Sequence, residues 1–281
     1  MRIVQITDTH LSPIKTHFNP NWEPLVAWVE HQKPDLIIHT GDLAVDGADI
    51  EADLEFCRSC FDQLSVPVLS VPGNHDIGHL PESHQPVNAE RLARWQRHIG
   101  PDRWAKDLGE WLIVGLNSLI IGTSSEQEED QFQWLENVLE NADGKPVAVF
   151  AHKPLFVDDP EEGDSGYWGI RPVARQRLYD LFAQYNVQLH ASGHLHRAWK
   201  GEAFGTSYVW GPAAAFIVGA MERDLPGERI LGAVVHELGE TATSTIIRIE
   251  DLTPYVIDDV VHEVYPHHAG DGEKVTEEAS Q

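Results

Sequence analysis

The chain has 281 residues, of which 45 are acidic and 20 basic, for a formal net charge of −25, and 42% are hydrophobic. That apolar fraction can fill a substantial core and excludes disorder of the whole. No run approaches the roughly 18 uninterrupted apolar residues that a membrane span requires. The acidic balance argues against a nucleic-acid polymer as partner, because neutralising phosphates needs a basic face. The same field repels a doubly charged phosphomonoester more than a singly charged diester, although salt screens it beyond roughly 8 Å, and it serves plain solubility equally well.

The amino terminus enters a strand directly, without the charged, apolar and cleavage segments of a secretory leader, which reads as a cytoplasmic protein. Strand 3–6, helix 22–32, strand 36–40, helix 49–64 and strand 66–71 alternate as βαβ units of a layered sheet. Cys57 and Cys60 fall in mid-helix, in a segment where Leu54, Cys57, Phe61 and Leu64 recur at helical spacing. They read as small core-facing residues rather than as a redox pair or half of a zinc site. A loop over 76–86 precedes a helix over 88–98 and a strand over 111–117. Helix 131–142 carries Phe132, Leu135, Leu139 and Ala142 on one face. Strand 147–150, a Gly- and Asp-rich loop over 157–169, helix 173–185 and strand 187–191 follow.

Beyond Arg197 short β-like runs (207–210, 216–218, 230–236 and 243–249) are separated by Gly and Pro, as in a mostly antiparallel second sheet. No linker or internal repeat divides the chain. Residues 1–265 are therefore expected to form one domain, with 266–281 as an acidic, disordered tail.

Five short polar blocks recur in fixed order: Asp8-Thr9-His10, Gly41-Asp42, Gly73-Asn74-His75-Asp76, Ala151-His152 and Gly193-His194-Leu195-His196. Each follows a strand-like run, so each sits at a strand's C-terminal end, where open α/β sheets bind ligands. A pair of divalent cations needs oxygen and imidazole donors and an anion to offset their mutual repulsion, and Asp42 can serve both. On an extended strand end Asp8 and His10 point to the same side, as do His194 and His196, with Leu195 turned to the core. Gly41 lets the backbone turn closely, and Asn74 adds a neutral amide oxygen. Singly, each block reads as an ordinary turn; the ordered set is what carries chemistry.

Together the blocks resemble the signature of the calcineurin-like metallophosphoesterase superfamily, D-x-H, G-D, G-N-H-D, H and G-H-x-H. The resemblance implies an α/β double β-sandwich, two mixed sheets packed together and flanked by helices. It implies one cation held by Asp8, His10, Asp42 and His196, and a second by Asp42, Asn74, His152 and His194. Such donors suit Mn, Fe, Zn or Co. Cations about 3.5–4 Å apart activate a shared water for in-line attack on phosphorus. His75 is then expected beside the leaving group as proton donor or charge stabiliser. Asp76 either holds the His75 ring or is a surface turn residue.

Val45 stands where purple acid phosphatases carry an iron-ligating tyrosine, so a tyrosinate-coloured site is not expected. The arginines of protein phosphatases have no placed counterpart. The layout from His152-Lys153-Pro154 onward resembles bacterial cyclic-nucleotide and glycerophosphodiester phosphodiesterases. The expected activity is hydrolysis of a small phosphodiester. A phosphomonoesterase or nucleotide pyrophosphohydrolase on the same centre is the alternative, ahead of a DNA nuclease. A scaffold without chemistry ranks below these, because every ligand position is retained.

The loop over 158–168 is expected to overhang the site. Asp158, Asp159, Glu161, Glu162 and Asp164 would disfavour highly charged substrates, while Tyr167 and Trp168 could stack on a base. The competing reading is a solvated acidic loop with a buried aromatic anchor. His17, His79 and His84 read as exposed loop histidines. The nine tryptophans leave room for an aromatic homo-oligomer interface.

Overall fold

The computed structural model describes residues 1–219 and 223–266. In chain order its strands are β1 (Arg2–Ile6), β2 (Leu36–His39), β3 (Val68–Ser70), β4 (Trp104–Asp107), β5 (Leu112–Leu116), β6 (Val147–Ala151) and β7 (Val187–Ser192). β8 (Trp199–Ala203), β9 (Thr206–Trp210), β10 (Phe216–Ile217), β11 (Gly232–Leu238), β12 (Ala242–Arg248) and β13 (Tyr255–Val256) follow. The helices are α1 (Trp22–Gln32), α2 (Glu51–Phe61), α3 (Asn74–Ile77), α4 (Ala89–His98), α5 (Glu126–Glu140), α6 (Pro172–Gln184) and α7 (Val261–Val264).

β1, β2, β5, β6 and β7 are almost wholly buried, as strands covered on both faces must be, which explains their continuous apolar runs. Between them α1 ends where Lys33 turns left-handed at φ 50°. α5 begins at Ser125, whose hydroxyl accepts from the Glu128 N–H at 3.2 Å, and Glu126, Glu128 and Glu129 load its first turn with charge that suits the helix dipole. That polar first turn lies outside the apolar stripe, so the stripe alone starts the helix five residues late.

The strands form a five-stranded sheet ordered β12-β11-β1-β2-β3, a six-stranded sheet ordered β4-β5-β6-β7-β9-β8, and a small β10-β13 pair. β1, β2 and β3 run parallel, as do β5, β6, β7 and β9. The two sheets face each other across a layer in which Ile3, Ile38 and Val234 meet Ile113, Phe150, Leu189 and Val209. α1, α2 and α4 cover the outer face of the first sheet through Leu25, Val29, Leu54 and Trp95. α5 and α6 cover the second through Phe132, Leu135, Leu178 and Phe182. This is the expected double sandwich of mixed sheets. Cys57 and Cys60 are buried in the first helical layer, and burial pushes Cys57 well up and Cys60 up to about 11.

The chain beyond Arg197 departs from expectation. Among the described residues it builds no separate antiparallel sheet: β9 and β8 finish the edge of the six-stranded sheet, while β11 returns antiparallel to β1 and β12 antiparallel to β11. Alternation marks a strand but not its partner, and the β1–β11 pairing of Val4 with Val235 spans nearly the whole chain. β4 and β8 escape sequence reading because edge strands carry charge against further pairing, here Lys106, Asp107, Lys200 and Glu202.

No helix among the described residues is long and apolar enough to cross a membrane. The expected tail over 266–281 lies, apart from Pro266, outside the described residues.

Candidate metal centre

The parallel strands β1, β2, β3, β6 and β7 all end at one rim, and the five blocks leave from those ends. There His196 Nε2 stands 3.3 Å from Asp8 Oδ1 and 3.3 Å from His10 Nε2. Asp42 Oδ2 lies 4.0 Å from His10 Nε2 and, on its other side, 3.3 Å from His152 Nε2. His152 Nε2 is in turn 3.1 Å from both Asn74 Oδ1 and His194 Nδ1. Two clusters of donor atoms thus meet at one carboxylate oxygen of Asp42. Asp8, His10 and His196, and Asp42, His152 and His194, each form a group able to hold a cation, and His10, Asp42 and His75 form a third.

The spacing fits. Donors about 2.0–2.1 Å from a shared tetrahedral cation stand about 3.3 Å from one another. Asp8 Oδ1 is buried without a hydrogen-bond partner, a costly state for a carboxylate unless positive charge sits beside it.

The second nitrogen of each histidine is also tied. His152 Nδ1 lies 2.8 Å from the Thr40 carbonyl, His196 Nδ1 2.9 Å from that of Phe216, and His194 Nε2 3.0 Å from that of Tyr167. A carbonyl only accepts, so a neutral ring keeps its proton on the outer nitrogen and turns the inner one toward a cation. His10 Nδ1 faces the Tyr265 hydroxyl at 2.7 Å.

The backbone here is strained. Asp8, His10, Asp42, His194 and His196 have φ of 52°, 43°, 53°, 70° and 50°, a region costing side-chain-bearing residues roughly 1–2 kcal/mol each. The D-x-H and H-x-H clips are therefore not extended strand ends as expected. They lie past the ends of β1 and β7, where alternate left-handed residues aim both side chains at the rim. Leu195 is buried beside Trp210 as anticipated. The loops brace one another through Asp8 N–H to Gly41 O at 3.0 Å and His10 N–H to Asp42 O at 3.1 Å. Gly41 itself takes φ 97°. At Gly73 a Cβ would fall 2.1 Å from Asp42 Oδ1, so only glycine lets the third block reach the second.

Asp76 fits neither expectation. It is fully buried, and its carboxylate accepts from the Gly73, Leu43 and Ala44 N–H groups at 2.9, 3.2 and 3.1 Å. It laces the second block to the third, and burial together with the Asp42 charge pushes it up to about 7. The His75 Nδ1 lies instead 3.2 Å from the Val45 carbonyl, while the His75 N–H donates to Asp42 Oδ1 at 2.8 Å. Burial lowers the His75 pKa.

The overhanging loop is a fixed strap rather than a solvated one. Glu162 accepts from the Val157 and Asp158 N–H groups, both at 2.9 Å. Arg175, Arg223 and Arg171 pair with Glu162, Asp158 and Asp164. Much of the charge expected to repel anions is thus met by arginine. Tyr167 stays 39% exposed, yet its hydroxyl accepts from Asn74 Nδ2 at 3.1 Å, which turns the amide oxygen toward His152. His79 is buried rather than exposed, and stacks on Tyr167 at 4.6 Å. His17 pairs with Glu263.

Sequence reading missed the Tyr167 hydroxyl and carbonyl contacts, the Phe216 carbonyl, and Tyr265. Backbone carbonyls leave no residue-type signal, and Tyr265 lies 255 positions from His10.

Burial depresses His152, but the charge of Asp42 overrides it and lifts the ring to about 9. A cation needs the neutral ring, so binding must displace that proton. Mn²⁺ affinity is expected to climb by up to about tenfold per pH unit below 9 and to level off above it. Calorimetry in buffers of different ionisation enthalpy reads the released proton, and uptake without release at pH 7 would contradict the assignment.

A mixed α/β sandwich with Asp, Asn and His donors gathered at one rim defines the class of metallo-dependent phosphoesterases. The calcineurin-like phosphoesterase model matches residues 1–198, and the chain belongs to that family. It is 31% identical over 177 residues to the human serine/threonine-protein phosphatase CPPED1, covering 59% of this chain and 54% of that one. It is 32% identical over 216 residues to a probable glycerophosphodiester phosphodiesterase, GpdQ, of Arcobacter nitrofigilis, covering 70% and 72%. The match spans about half the length of the CPPED1 relatives. In fold, it is similar to GAP50, the anchor in the inner membrane complex of Plasmodium, with a TM-score of 0.65 at 13% identity over 96% of this chain and 94% of that one.

Proposed function

We propose that this chain is a binuclear-metal phosphodiesterase acting on a small diester, a cyclic nucleotide or a glycerophosphodiester. Asp8, His10, Asp42 and His196 hold one divalent cation and Asp42, Asn74, His152 and His194 the other, drawn from Mn, Fe, Zn or Co. The observation that carries this reading is the meeting of two buried donor clusters at Asp42 Oδ2.

Cations bound there supply Lewis-acid polarisation of a phosphoryl oxygen and a lowered pKa for water. The protein does the rest. Asp42 offsets the charge of the pair, the carbonyls of Thr40, Phe216 and Tyr167 keep the imidazoles in one tautomer, and Tyr167 fixes the Asn74 amide. His75 stands beside Asp42 and His10. Burial holds its ring toward the neutral form, so it acts once protonated, giving its Nε2 proton to the leaving oxygen or stabilising its charge.

The likeness to GpdQ over 70% of the chain supports a diester, and a net charge of −25 favours the less charged ester. The CPPED1 relative supports a second reading, hydrolysis of a phosphomonoester at the same centre.

Rates on bis-p-nitrophenyl phosphate, p-nitrophenyl phosphate, 3′,5′-cyclic AMP and glycerophosphocholine, with Mn²⁺ and with EDTA, separate the two. Metal-dependent turnover of the diesters, faster than of the monoester, is expected. Activity confined to the monoester selects the second reading, and none on any of the four defeats both.

A further inference from the structure

The family match ends at residue 198, yet the centre is finished by a residue far beyond it. α7 carries Tyr265 back to the rim, and two contacts fix it there. Lys15 Nζ donates to the Val264 carbonyl at 2.6 Å, and His17 Nε2 lies 2.9 Å from Glu263. Val264 and Tyr265 pack with Phe18, Val45 and Phe216. Lys15 and His17 follow directly on the block that presents Asp8 and His10, so one segment offers two donors and clasps the far end of the chain.

Tyr265 then does what a backbone carbonyl does for the other histidines. A neutral imidazole has a single N–H. For Nε2 of His10 to face Asp8, Asp42 and His196 as a bare donor, the proton must sit on Nδ1 and find an acceptor away from water. His152, His194 and His196 find carbonyls. His10 finds the Tyr265 hydroxyl at 2.7 Å, in a fully buried contact. The same tyrosine ring packs on His75 with centroids 4.6 Å apart and planes at 40°. Burial pushes the tyrosine pKa well up, so the hydroxyl stays neutral.

We propose that Tyr265 is a positioning residue: its hydroxyl fixes the tautomer and angle of His10 for the cation shared by Asp8, Asp42 and His196, and its ring backs His75. This rests on the metal-centre reading above.

Tyr265→Phe is the test, since it keeps the ring against His75 and removes only the oxygen. Mn²⁺ is titrated calorimetrically into metal-free full-length wild-type and variant protein, with circular dichroism and melting temperature recorded on the metal-free forms. One of the two wild-type sites is expected to weaken by about 10–100-fold in the variant while the other holds. Melting should be unchanged, and high Mn²⁺ should restore turnover. Equal affinity at both sites in wild type and variant overturns the proposal and leaves the centre standing. Equal weakening of both sites with a lowered melting temperature also overturns it, by marking Tyr265 as packing alone. A wild-type protein that takes up no Mn²⁺ removes the metal-centre reading itself, and this proposal with it.

Discussion

Asp42→Ala is expected to strip both cations at once and to lower kcat/KM for a diester by at least about 10³, beyond the 10–100-fold typical of residues that only orient ligands. The reason is electrostatic. Two unit charges 4 Å apart at an effective dielectric of 20 repel by about 4 kcal/mol, so two divalent ions face about four times that. Asp42 Oδ2 is placed toward both donor clusters, 3.3 Å from His152 and 4.0 Å from His10. Asp8→Ala removes a donor from one cluster and should spare the other. The fold of Asp42→Ala should persist, because the packed layers between and outside the sheets do not involve it.

One further signature follows in metal-free protein. The Asp42 charge raises His152 to about 9 against an ordinary value of 6.5. His152 therefore contributes stability that is present in full below about 6.5 and lost as pH rises through 9. That pH dependence of melting should vanish in Asp42→Ala. Metal analysis showing two bound cations, with activity within tenfold of wild type, would defeat the bridging role.

The polar blocks were legible because chemistry restricts residue type: cations of this kind demand Asp, Asn and His, and the strands before them are apolar enough to recognise. Their geometry was not. Nothing in Asp8-Thr9-His10 announces left-handed backbone at both ends, since that conformation is imposed by neighbouring loops through bonds such as Asp8 N–H to Gly41 O. Asp76 misled for a related reason. A carboxylate beside a histidine suggests a pair, yet three backbone N–H groups from two loops compete for it and win. The placing of β11 beside β1, and of Tyr265 beside His10, depends on contacts spanning most of the chain, which periodicity does not encode.

The role proposed for His75 separates cleanly by leaving group. Departure of p-nitrophenolate needs little help, because that anion is stable near neutral pH. An alkoxide such as glycerol or a ribose oxygen must be protonated as it leaves, which a positioned acid accelerates by about 10²–10⁴. His75→Ala should therefore cost about 10²–10⁴ on glycerophosphocholine or cyclic AMP and about tenfold or less on bis-p-nitrophenyl phosphate. The ring's position makes this test necessary. His75 shares a cation-sized cluster with His10 and Asp42, so it has the reach of a ligand, and its backbone N–H braces Asp42 at 2.8 Å. Substitution by alanine keeps that N–H and removes only the imidazole. Bound metal unchanged, with loss confined to the alkyl esters, assigns the ring to the leaving oxygen. Equal loss on both ester types, with Mn²⁺ content reduced, would instead make His75 part of the metal cradle and leave the leaving oxygen to another group.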